Sequence, residues 1–301
     1  MNNIFQETSS QWVKYSEYEF KKAADGMHYV MPAPKAKPII FDPLKDAKAM
    51  ILDALNIGLI QLNRDKKNDI NAVKDAVIEF VLKYGLLGFI TALPTTPNFM
   101  DYDAVYLPRN LFIKAECMPV EEYTALFFPF EKLKFKKSKD GTQWNVCGDN
   151  DMMALIVAFS KEPMALNMSF QRQYAERYDW LLEQFKDWAF ILLTSILYYE
   201  DYDKIDETAR NLYRKGIGAF GGIAPTYRIG LFDKPTIVWD FNSLLLIIQM
   251  MFSFMLTDDA KPLRICRQCL IAFAAKHPNA AFCSPRCKNQ YNAYKNRTKK
   301  D

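Results

Sequence analysis

Four cysteines near one end of the chain are its clearest chemical signal: Cys266-x2-Cys269, thirteen residues, then Cys283-x3-Cys287. Two close thiol pairs separated by a short loop can surround one tetrahedral zinc ion, each pair biting from one side at a Zn–S distance of about 2.3 Å. Ser284 is a good helix N-cap and Pro285 suits a first helical position, with no later glycine or proline before Thr298. A helix beginning there puts Cys287 in its first turn and Cys283 just before it. Its free backbone N–H groups and positive dipole end then favour the thiolate form that binds metal. The first pair reads as a knuckle turn, residues 271–273 as the strand leaving it, and Phe273 and Phe282 as the cover of the metal. Knuckle, hairpin and ligand-bearing helix together predict a treble-clef-like zinc finger. With four protein ligands the site is closed, so the zinc is expected to be structural.

Other uses of these thiols compete with that reading. A disulfide framework belongs to secreted chains, and the first residues, MNNIFQE, form neither a charged n-region nor an apolar h-region. A redox CxxC is expected at a strand-to-helix turn of a βαβ unit, which is not the setting of Cys266 and Cys269. His277 can replace one thiol as a ligand, although its place before Pro278 reads as an exposed turn.

The elements that must position the thiols come from the other 260 or so residues. Half of the 301 residues are hydrophobic, enough for a large core plus a small satellite module. Apolar recurrence over 44–62 and over 70–84 predicts two helices, the second capped by Asp69 and ended by Gly85-Leu86-Leu87-Gly88. Residues 1–30 are aromatic-rich with weak periodicity, and Pro32, Pro34, Pro38 and Pro43 predict an extended connector. Residues 94–150 look irregular, with a short strand at 111–115 and a hairpin turning at Asp140-Gly141. A long helix is predicted over about 170–199, a β-hairpin over 226–231 and 236–241, and an apolar helix over 243–256 capped by Asn242. That last run is short of the roughly twenty residues a membrane span needs and contains Gln249, so it predicts a buried core helix and no membrane partner.

Other chemistry is sparse. Two histidines are few for a His-based mechanism. Gly216-x-Gly218-x-x-Gly221 imitates a phosphate loop but lacks the strand before it, and Ala224-Pro225 blocks a helix after it, so a flexible connection is expected. Cys117 and Cys147 read as ordinary thiols, Asp101/Asp103 and Glu121/Glu122 as solvated loop acids, and Lys132, Lys134, Lys136, Lys137 and Lys139 as one face of a solvated strand. No enzyme is expected.

Charge separates the two ends. Overall there are 39 basic and 35 acidic residues; ten of the basic ones and one acidic one lie from Lys261 onward, so that segment is +9 and the rest −5. On the helix from Pro285, Cys287, Tyr291, Tyr294 and Thr298 are expected to pack against the hairpin and body. Lys288, Asn292, Lys295 and Lys299 form a cationic stripe one position around, extended by Arg286 and Arg297. Lysine neutralises phosphates, and asparagine reads adenine or bonds the backbone, so DNA or RNA is the expected partner; a solvated cap or a protein-docking surface is the alternative.

The ending Cys266-Arg-x-Cys269-x3-Phe273…Phe282-Cys283-Ser284-x-x-Cys287-Lys288-Asn289…Lys295-x-Arg297 resembles the C-terminal zinc finger of bacterial CGNR-type proteins. It looks closer still to a family of uncharacterised bacterial, mainly Firmicute, proteins with a helical N-terminal region and this finger. Tyr84-Gly85-Leu86-Leu87-Gly88 and the apolar helix before the finger are similar to that second family. The resemblance implies Cys266, Cys269, Cys283 and Cys287 as zinc ligands, Asn289 in the box asparagine position, and a DNA-binding transcription regulator with a ligand-sensing body. The chain departs from that pattern in having Cys287-Lys-Asn-Gln where the CGNR group has Cys-Gly-Asn-Arg.

The sequence thus predicts an α+β protein: a predominantly helical body over 1–260 and a four-cysteine zinc finger with a basic helix over 261–301. It is expected to be cytoplasmic and to bind nucleic acid.

Overall fold

In the computed structural model, the described residues are 12–63, 70–89, 91–94, 118–130, 174–221, 226–231, 233–241, 243–277 and 279–297. Among them the fold is mixed α+β, with seven helices and five small sheets.

Helices α1 (Ala47–Leu62) and α2 (Ile70–Tyr84) follow the predicted periodicity. Long helix α4 (Tyr178–Glu200) crosses α1, and the close approach depends on Gly58: a Cβ there would lie 2.0 Å from the Phe185 carbonyl oxygen. Phe80, Phe185 and Trp188 fill the interior beside this crossing, with Phe185 edge-on to both neighbours. Apolar helix α6 (Leu244–Leu256) buries Leu244, Ile247, Ile248 and Phe252 in the same core. Its cap is Ser243 rather than the predicted Asn242: the Ser243 hydroxyl accepts from the Leu246 amide at 3.4 Å. Among the described residues no helix is long and apolar enough to cross a membrane.

Residues 12–30 hold more structure than their periodicity promises. Strand β1 (Trp12–Tyr15) pairs antiparallel with β4 (Pro38–Phe41), which lies inside the predicted connector. Strands β2 (Tyr18–Lys22), β3 (His28–Pro32) and β7 (Glu176–Arg177) form a second sheet. Strands β5 (Leu93–Pro94) and β6 (Phe127–Phe128) make a minimal pair. Strands β8 (Thr226–Leu231) and β9 (Pro235–Asp240) are the predicted hairpin.

Two helices were not predicted. Helix α3 (Val120–Leu126) carries Glu121 and Glu122 in its first turn, where acids favour the dipole, so these are helical rather than loop residues. Helix α5 (Glu207–Gly218) is capped by Asp206 and ends in Gly216 and Gly218, which are therefore helical rather than part of a flexible loop. The predicted start of α4 moves from 170 to 178, since Glu176 and Arg177 join the sheet. The predictions for Asp69, 101–103, 111–117 and 132–147 lie outside the described residues.

The segment after α2 is the body's tightest knot. Gly85 ends the helix in the left-handed region at φ +81, its amide donating to the Val81 carbonyl. The amides of Leu87 and Phe89 then donate to the fully buried Glu176 carboxyl at 3.0 and 2.7 Å, and that of Gly88 does so as well. Trp12 donates its indole N–H to the Leu86 carbonyl, and the Leu245 amide donates to that of Leu87, so β1, β7 and α6 all hold this turn. Burial pushes the Glu176 carboxyl up to about 8, outweighing the three backbone donors that favour its ionised form.

Candidate metal centre

Strands β10 (Leu263–Ile265) and β11 (Ala272–Ala274) form the hairpin, in the register Arg264↔Phe273. The strand after the knuckle is shifted by one residue from the predicted 271–273. Between the strands the chain makes a knuckle. The Leu270 amide donates to the Cys266 carbonyl at 2.9 Å, the Cys266 amide donates to the Ile271 carbonyl at 2.9 Å, and Leu270 takes φ 61. A branched aliphatic residue in that region is sterically disfavoured, so the surrounding bonds hold it there. The Arg267 amide donates to the Ala281 carbonyl at 3.0 Å, tying the knuckle to the returning chain.

Helix α7 (Pro285–Arg297) starts where the sequence places it, and the Cys287 amide donates to the Ser284 hydroxyl at 3.2 Å. Cys283 thus sits immediately before the helix and Cys287 within its first turn. The four sulfur atoms all lie within 4.8 Å of one another; Cys269 and Cys283 are 3.7 Å apart, and Cys283 and Cys287 3.6 Å apart. A tetrahedron with Zn–S of about 2.3 Å has edges of about 3.8 Å. A disulfide needs about 2.05 Å, and all four cysteines are free. The cluster contains the four thiols and not His277.

The electrostatics call for a cation. Burial opposes ionisation of Cys266, but backbone N–H groups of Cys269, Cys283 and Gln268 bring its thiol down to about 6. Burial and the neighbouring Cys287, Cys269 and Cys266 push Cys283 up to about 12, and burial also raises Cys269. Four thiolates cannot share so small a volume without a divalent ion between them. The donor set and spacing therefore fit a metal ion.

The centre is fastened to the body. The Ala272 amide donates to the Asn56 side-chain oxygen at 2.7 Å, and the Asn56 side-chain nitrogen donates back to the Ala272 carbonyl at 3.4 Å. A carboxamide on α1 thus plays the part of a neighbouring strand for β11. Leu263 and Ala272 are buried in the same core cluster as α1 and α6, and Cys266 is fully buried while Cys269 is exposed. No signal in the sequence separates Asn56 from the other polar residues of α1.

Beyond the thiols, α7 behaves differently from its predicted packing. No residue of the helix is buried; Tyr291 contacts Phe282 with ring centroids 5.2 Å apart, while Tyr294 is 70% exposed. The helix has too few apolar residues to form a face that could dock on the body. Arg286, Lys288, Asn289, Asn292, Lys295 and Arg297 are all exposed, and Lys299 lies outside the described residues.

No family model matches the chain, and neither the curated proteins nor the solved structures contain a match to it.

Proposed function

We propose that the four cysteines bind one zinc ion, that the segment from Lys261 onward is a treble-clef-like finger, and that this finger holds α7 out to a nucleic acid. The observation that carries this reading is the helix itself: it begins at two of the thiols, buries none of its residues, and exposes Arg286, Lys288, Lys295 and Arg297. An exposed helix with this charge is suited to phosphates. The likeness to CGNR-type fingers points the same way and adds the reading of a cytoplasmic, non-enzymatic bacterial regulator whose body responds to a ligand or partner.

The second reading is a scaffold in which the finger closes the fold or docks a protein. It is favoured by the Asn56 bonds to Ala272 and by the burial of Leu263 and Ala272 with the body.

Two measurements decide. Metal analysis is expected to give one zinc per chain, lost in Cys266→Ser and Cys283→Ser; full retention in both variants refutes the centre. Filter binding to duplex DNA across a salt series is expected to show affinity falling steeply with salt, with Lys288→Glu plus Lys295→Glu weakening it. Absent or salt-insensitive binding, unchanged by those substitutions, leaves the scaffold reading.

A further inference from the structure

The surface of α7 is divided lengthwise. At about 3.6 residues per turn, Asn289, Asn292 and Asn296 fall within about 60° of one another on the helix. That arc lies on the side opposite Cys287 and Tyr291, which face the metal and Phe282, so the three carboxamides crest the part of the helix farthest from the finger. All three residues are exposed. Lys288 and Lys295 flank the arc on one side, Arg286 and Arg297 on the other, and Ala293 sits at its edge; each of these is exposed too. A row of amides bordered on both sides by cations is suited to a groove edged by two rows of anions.

The amides select among such grooves. A carboxamide offers a donor and an acceptor in one plane, which match the N6 donor and N7 acceptor of adenine in the major groove; an alanine methyl suits the thymine methyl. Residues 261–300 contain no acidic side chain to take the cytosine amino group. The major groove of B-DNA, about 12 Å wide, admits an α-helix, whereas that of A-form RNA is too narrow. From position 289 to 296 the helix rises about 10 Å, the height of roughly three base-pair steps.

We propose that α7 is a recognition helix that lies in the major groove of B-form duplex DNA and reads A·T pairs through Asn289, Asn292 and Asn296, with Ala293 against a thymine methyl. This rests on the nucleic-acid reading above and adds to it the duplex, the groove and the base.

The test uses the full-length zinc-loaded protein and a pool of short duplexes with a randomised centre, sequenced before and after capture. Adenine is expected to be enriched at two or three positions within about four base pairs, with roughly 5- to 100-fold discrimination per position. Replacing the enriched adenines by 7-deazaadenine, which lacks the N7 acceptor, is expected to weaken binding. The variant Asn289→Ala, Asn292→Ala, Asn296→Ala is expected to lose the enrichment while keeping its zinc and its salt dependence. Alanine favours the helix at each position, so misfolding does not account for such a loss. Salt-dependent binding without enrichment, enrichment that survives in the variant, indifference to 7-deazaadenine, or preference for an RNA hairpin pool overturns this inference alone. Absence of nucleic-acid binding altogether removes the earlier reading with it.

Discussion

Two turns in this molecule gather backbone N–H groups about an acidic side chain. In the body, the Glu176 carboxyl accepts from Leu87, Gly88 and Phe89; in the finger, backbone N–H groups of Cys269, Cys283 and Gln268 favour the ionised form of Cys266. Their surroundings differ. Glu176 is fully buried, and burial pushes its carboxyl well above the usual carboxylate range. Cys266 is joined by three more sulfurs beside a hairpin of two three-residue strands, each of which lends one residue, Leu263 or Ala272, to the body's core. The body turn is complete from its own atoms, whereas the four clustered thiols are placed to take an ion from solution.

Removing the metal is the most severe test of that difference. Chelation, or Cys266→Ser, is expected to unfold the hairpin and α7, since structural zinc contributes about 10 kcal/mol or more to folding of such modules. Hydrogen exchange is the measurement: amides at 263–275 lose protection while those of α1 and α4 keep theirs. Equal protection with and without metal dissolves the contrast.

Glu176→Ala is the corresponding break in the body. It orphans three backbone donors, two of them at buried Leu87 and Gly88, at about 1–3 kcal/mol each, so urea titration is expected to show a loss of roughly 3 kcal/mol or more with zinc content unchanged.

The same residue gives a pH signature. Its folded pKa of about 8 lies above the ordinary value of 4.5, so the folded state holds the proton more tightly than the unfolded chain. The contribution is fully present below about 4.5 and is lost as pH rises through about 8, with a slope of at most about 1.4 kcal/mol per pH unit. Glu176→Gln is expected to flatten that slope in denaturation series between those limits; a slope unchanged in the variant assigns it to another group.

The mildest probe is Asn56→Ala, which removes two hydrogen bonds to Ala272 at about 1 kcal/mol each. Zinc exchange into a chelator is expected to quicken while one zinc per chain is still bound. An unchanged exchange rate shows that the finger holds itself in place without α1.

What the sequence disclosed follows from how local each cause is. The thiol cluster was legible because its four cysteines fall within 22 residues and Ser284-Pro285 marks the helix start. Helices α1, α2 and α6 were legible because each buries one periodic set of apolar residues. Strand β3 was not, since Tyr29, Val30, Met31 and Pro32 are all buried and no alternation remains to be seen. Helix α5 has its apolar residues Ala209, Leu212, Tyr213 and Ile217 at helical spacing behind the Asp206 cap, so its signal is present in the sequence although none of them is buried. Glu176 was invisible for another reason: the donors it satisfies are nearly ninety residues away. The exposure of Tyr294 does not follow from the sequence because helical spacing says which residues share a side, not how much of that side is covered.

The hairpin's inner wall has a practical bearing on anyone wishing to study the tail as a separate reagent. Leu263 and Ala272 shelter against the rest of the protein, so a peptide cut at Lys261 would bear a sticky scar and invite clumping. Polar replacements at those two places would be the natural starting point for a well-behaved miniature.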